Sequence, residues 1–177
     1  MLKILILMIA TLMLGQGQAQ SSEKNSLAIQ KYFGQVPCHG QGTVYKFVIP
    51  AYDIGLWVKE GQSWSYDQPF ALEVKARWNV DKKEMLDSTL EVMKRNTVLT
   101  LAQEKEYTDF LHSFYPDLKE KDLVTVVFIP QQKILFYHNN KLLKESTNMT
   151  FARAFCDIWL SPKTKYDSAR RAMLGLD

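Results

Sequence analysis

The chain has 177 residues, 46% hydrophobic and 23% charged, with 22 Lys and Arg against 19 Asp and Glu for a net charge of +3. That length closes one well-covered core and leaves too little for a second domain. No run of five or six basic residues is present, which excludes the one-sided positive face that nucleic-acid readers usually carry.

Lys3 precedes the apolar run from Ile4 to Leu14, and Gly17-Gln18-Ala19 follows with small residues at the −3 and −1 positions of a cut. The pattern predicts a signal peptide over 1–19 and a single mature domain over 20–177. The apolar run is well short of the roughly 20 residues that span a bilayer, so no stable membrane anchor is expected. No cysteine lies beside the cut to carry a lipid. An exported chain meets oxidising conditions, where Cys38 and Cys156 either pair as a disulfide or remain two small buried hydrophobes. Cys156 lies between Phe155 and Ile158, which suits the second alternative.

Past a polar stretch, Gln20 to Asn25, alternation predicts a strand over Thr43 to Ile49, broken by Pro50-Ala51. A second strand follows with Tyr52, Ile54, Leu56 and Val58 on one face, pairing with the first as a hairpin. The third carries Phe70, Leu72, Val74 and Ala76 inward and Glu73, Lys75 and Arg77 outward. At Asp81 the period becomes helical: Asp81 and Glu84 form a capping pair, and Leu86, Leu90 and Met93 share a stripe over Lys82 to Arg95. A second helix is expected over Gln103 to Phe114, stopped by Pro116. Strands over Leu123 to Ile129, Lys133 to Tyr137 and Lys141 to Lys144 come next, with Asn139-Asn140 suited to a tight turn. A helix over Met149 to Leu160, capped by Asn148, and a last one over Tyr166 to Leu174 complete the chain. Phe151, Phe155, Ile158 and Trp159 form a stripe that must lie on the sheet. The order predicts an α+β domain, a mainly antiparallel sheet with a helical layer on one side.

Chemistry-bearing motifs are few. A nucleophile elbow, a phosphate-cradling glycine loop and a zinc-protease His-Glu-x-x-His are all missing, so no cofactor is expected. His39, His112 and His138 are scattered and no Cys-x-x-Cys occurs, so no metal is expected either. Gly40-Gln41-Gly42 reads as a short flexible lead into the first strand, and Asp117 to Asp122 as a solvated turn. Asn148-Met149-Thr150 fits both a glycosylation sequon and a helix cap. Tyr45, Tyr52, Trp57, Trp64, Trp78 and Trp159 supply aromatic walls, either of a core or of a pocket for an apolar ligand. Arg77 beside Trp78 is placed either to hold a ligand carboxylate bidentately or to face solvent.

Taken together, Tyr52-Asp-Ile-Gly-Leu-Trp-Val58, Phe70-Ala-Leu-Glu-Val74, Met93-Lys94-Arg95, Tyr115-Pro-Asp-Leu118 and Phe151-Ala-Arg-Ala-Phe-Cys-Asp-Ile-Trp-Leu-Ser-Pro162 resemble the exported bacterial branch of the chalcone isomerase-like family. The resemblance implies an antiparallel sheet backed by helices with a ligand cleft between, and a periplasmic location. Plant enzymes of that family, intramolecular lyases, close a chalcone ring with an Arg on an early strand and polar side chains from the sheet and next helix. Here the early Arg position falls near Gly40, the strand threonine near Tyr52, and the helix Lys and Asn near Leu86 and Leu90. Only Thr150 falls near a late catalytic hydroxyl. The expected function is therefore a non-catalytic protein binding a small apolar or carboxylate ligand, such as a fatty acid. Candidate binding residues are Tyr52, Arg77, Trp78 and Thr150. An isomerase of a small phenolic or enone substrate, and an envelope interaction module, are the alternatives.

Overall fold

The computed structural model describes residues 25–176; the signal peptide expected over 1–19 lies outside the described residues. Six strands, β1 (Gly40–Lys46), β2 (Ile49–Val58), β3 (Phe70–Ala76), β4 (Leu123–Ile129), β5 (Lys133–His138) and β6 (Lys141–Ser146), form one sheet in chain order. Every neighbour is antiparallel. Helices α1 (Leu27–Phe33), α2 (Lys82–Asn96), α3 (Leu101–His112), α4 (Met149–Leu160) and α5 (Asp167–Leu174) complete the α+β domain. None of the described helices is long and apolar enough to cross a membrane.

Strand alternation sorts the sheet into two faces. On the inner face Ile54, Leu56, Leu72, Val126, Ile134 and Phe136 join α2, α3, α4 and α5 in the main core. The stripe of α4 lies there as its spacing demands, with Phe151, Phe155, Ile158 and Trp159 all buried. Asn148 caps that helix by accepting from the Phe151 N–H, and α3 opens on a capping box between Thr100 and Gln103. Asn139 and Asn140 make the expected left-handed turn, at φ 47° and 69°.

Beyond the helical layer on the inner face, as expected, the outer face carries one short helix of its own. Ala28, Ile29 and Phe33 of α1 pack with Val36 on Ala71, Val127, Leu135 and Tyr137. This helix starts just past the polar N-terminal stretch and shows no periodicity long enough to announce it. Ser26 caps it from inside, while Asn140, from the distant β5–β6 turn, accepts from the Leu27 N–H at 2.7 Å.

The first hairpin turns earlier than Pro50-Ala51. Lys46 pairs with Ile49 and Tyr45 with Pro50, after a bulge between Val44 and Tyr45. Phe47 takes the left-handed φ of 57°. Pro50 is absorbed into β2 beyond the last β2–β3 partners, Tyr52 and Ala76, where its missing N–H costs no bond to β3.

The glycines that open β1 are also more than a flexible lead. They lie directly under α5, whose backbone settles on the strand: a Cβ at Gly40 would stand 2.3 Å from the Met173 carbonyl oxygen, and one at Gly42 2.6 Å from Ala169 Cα. Any side chain there would force the last helix off the sheet.

Cys38 and Cys156 are free thiols, a correction to the disulfide alternative. The reason is geometric. The Cys38 thiol donates to the carbonyls of Gly40 and Leu56 at 3.2 and 3.5 Å and lies by Gly55, on the outer face. Cys156 belongs to the inner-face core and is fully buried, so the sheet stands between the two.

Gly42→Ala is expected to lose about 1–3 kcal/mol in urea denaturation, the usual cost of overpacking, while exposed Gln41→Ala stays within about 0.5 kcal/mol. Denatured but unreduced protein should show both thiols reactive, with an unchanged melting temperature when reductant is added; a protected pair would mean that the two faces are not separated as described.

Candidate functional site

Amphipathic α2 turns the Leu86–Leu90–Met93 stripe into the helical core, with Leu86 and Met93 buried and Leu90 packed against them. The helix rests on α3 and α4, and a different edge of it, Met85, Ser88 and Thr89, overhangs the sheet. Between that edge and the inner face lies a cavity of about 850 Å³, within the roughly 300–1,000 Å³ range of small-molecule pockets. Leu72 and Val74 of β3, Val126 of β4 and Phe136 of β5 form its floor, and Phe155, Ile158 and Trp159 of α4 its end wall.

The polar groups in this wall are few and mostly spoken for. The Trp159 indole N–H donates to the Tyr52 hydroxyl at 2.9 Å, and the Tyr166 ring meets the Tyr52 ring edge-on at 6.4 Å. Burial pushes the Tyr52 phenol well above its ordinary pKa, and Tyr166 beside it adds to the rise against the opposing Trp159 bond. Farther along, Thr89 donates to the Met85 carbonyl at 2.8 Å, so at 3.2 Å it accepts from Tyr115. Burial raises the Tyr115 phenol as well. Both phenols therefore stay neutral throughout the pH range in which the protein is handled.

Charges gather among the lining residues of α2 and its neighbours. Lys46 of β1 is paired with Glu84, Lys83 with Asp87 at 2.6 Å, and Lys165, just before α5, with Glu91 at 2.8 Å. Beside them the β1–β2 turn exposes Phe47 and Val48, 93% and 88% accessible, and Phe47 also borders the cavity.

Of the four candidate residues, the structure brings together Tyr52 and Trp78, both in the cavity wall. Arg77 is excluded by the period of two, since it follows Ala76, which faces the cavity. Its guanidinium does hold a carboxylate, but an internal one: Asp53, at 3.0 Å from Nε and 2.8 Å from the terminal nitrogen. Thr150 is exposed in the first turn of α4 and borders a separate shallow groove with Thr97, Arg153 and Asp157. Thr89, Tyr115, Lys165 and Tyr166 were not legible as site residues. The apolar stripe of α2 marks its core edge, Leu86, Leu90 and Met93, whereas the cavity lies under the neighbouring edge that carries Thr89.

Trp159→Phe keeps the ring in the stripe but removes the donor to Tyr52, and should cost about 1 kcal/mol; Trp159→Ala should cost about 3–5 kcal/mol. Urea denaturation distinguishes the two, and near-equal losses would show that the indole N–H dominates over the packing.

The sequence model of the chalcone isomerase-like family matches residues 34–175. No curated protein matches the chain. Among solved structures it is similar to the crystal structure of a fatty-acid binding protein of Arabidopsis thaliana, at 8% identity and a TM-score of 0.59, over 76% of this chain and 82% of that one. At that identity the likeness concerns the fold.

Proposed function

This chain belongs to the chalcone isomerase-like family, and from that premise we propose that it is a non-catalytic binding protein of the periplasm. It holds a small, largely apolar molecule between the sheet and α2, and the leader over 1–19 would take it there. The observation that carries this reading is the 850 Å³ cavity, floored by aliphatic and aromatic side chains and preformed by the packing of α2 on α3 and α4. The structural likeness to a fatty-acid binding protein supports the ligand class. In the plant enzymes of the family a cation meets the oxyanion that forms during ring closure, one form of the preorganised donor such chemistry relies on. The cations lining this cavity, Lys46, Lys83 and Lys165, each hold a carboxylate already, so binding stands ahead of catalysis.

Native mass spectrometry of protein purified from its own source should find a small apolar molecule retained. In a thermal-shift panel of long-chain acids, alcohols and esters, a ligand at a hundredfold excess over its Kd should stabilise the fold by about 2.7 kcal/mol, a rise of roughly 5–10 °C. Val74→Phe, which fills the cavity from its floor, should abolish the rise. An empty protein with no shift from any member of the panel would defeat the proposal.

A further inference from the structure

We infer that the cavity selects lipids whose polar end is uncharged, an alcohol, ester or ketone, over the corresponding carboxylate. The inference rests on the binding role proposed above and narrows its ligand class. Three observations converge on it.

The first is the inventory of charges. Carboxylates outnumber cations among the lining residues: Lys46 faces Glu84, Lys83 faces Asp87 and Lys165 faces Glu91, which leaves Asp81 over. Asp81 caps α2, accepting from the Glu84 N–H. Among the described residues, a ligand carboxylate entering here finds no lining cation that is not already neutralised, and it approaches a rim of the same sign. Desolvating an ion without a new partner is costly, so the charge counts against the ligand.

The second is the kind of donor left over. At the Thr89–Tyr115 pair both hydroxyl hydrogens are in use, one on the Met85 carbonyl and the other between the two side chains. That pair offers only acceptor lone pairs. At the Tyr52–Tyr166 pair the arithmetic differs. Tyr52 accepts the Trp159 N–H at its oxygen and meets the Tyr166 ring edge-on, contacts that leave its own phenolic hydrogen unspent. One neutral O–H remains to donate to an oxygen in the cavity, and a carbonyl, ether or hydroxyl oxygen is a sufficient acceptor for it.

The third is position. Tyr52, Trp159 and Tyr166 lie together on the wall, while the floor from Leu72 to Phe136 is apolar. A ligand with a single uncharged oxygen end and a hydrocarbon body meets both parts without leaving a polar group unpaired.

The test compares dodecanol, methyl dodecanoate and dodecanoate at pH 8, by displacement of a fluorescent apolar probe from the full-length mature protein. The alcohol and the ester should bind at least tenfold more tightly than the carboxylate. Glu91→Gln releases Lys165 from its partner at a side chain that is 65% exposed, so it threatens folding little. It should raise the dodecanoate-to-dodecanol affinity ratio several-fold, a change that a merely structural role would not produce. Tyr52→Phe should weaken the alcohol and ester several-fold while circular dichroism remains native. Equal or tighter binding of dodecanoate by the wild-type protein overturns the inference even though the cavity binds lipid. Failure of all three probes to bind defeats the binding role itself, and the inference with it.

Discussion

Helix α4 is apolar around nearly its whole circumference, and the rest of the structure is arranged to bury it. Eight of its 12 residues are buried, a pattern that suits only a helix enclosed on several sides. The sheet takes one side, where Phe155 meets Phe136 edge-on at 4.9 Å. Helix α3 takes a second through Tyr107 and Phe110, both against Phe151. Helix α2 closes a third, and Asn96 at its end donates to the Asp157 carbonyl at 2.6 Å. The loop before β3 adds Tyr66, whose hydroxyl reaches the Asp157 carboxylate at 2.7 Å. Because α2 is committed to α3 and α4, it cannot also settle on the sheet, and the gap beneath its other edge is the cavity.

This arrangement accounts for the chemistry of the cavity wall. Groups that belong to the enclosing packing, Trp159, Tyr52 and Tyr115, are aromatic and neutral; burial itself holds the two phenols protonated. Charged groups are confined to the solvent-facing side of α2 and its neighbours, where most find an opposite partner at little desolvation cost. The cavity is polar at a few points and ionic only among its exposed lining residues. That division follows from where each side chain sits relative to water.

Those features of the fold that repeat over many residues could be read from the chain. The alternation in β2 and β3, the four-residue stripe of α4, the Asn148 cap and the Asn139-Asn140 turn all appeared as local pattern dictated. Features set by partners distant in sequence could not. Helix α1 has only seven residues and depends on Asn140 and the outer sheet face for its place. Arg77 was legible as a bidentate carboxylate holder, but its partner Asp53 is fixed by the β2–β3 register, in which Asp53 sits opposite Lys75. The glycines at 40 and 42 looked like looseness because nothing nearby in sequence shows the helix that lies on them. The site was harder still, since one residue of rotation along α2, from Leu90 to Thr89, separates a core position from a cavity wall.

The contact between α5 and the glycines of β1 joins the two ends of the domain, and it sets a condition on the order of events during synthesis. Helix α5 is the main cover of β1, so until it is made the first hairpin lacks its principal packing partner. Pairings so distant in sequence are formed late and slowly. A nascent chain stays incomplete as a fold until α5 has left the ribosome, and anything that must engage the domain unfolded has until then to do so.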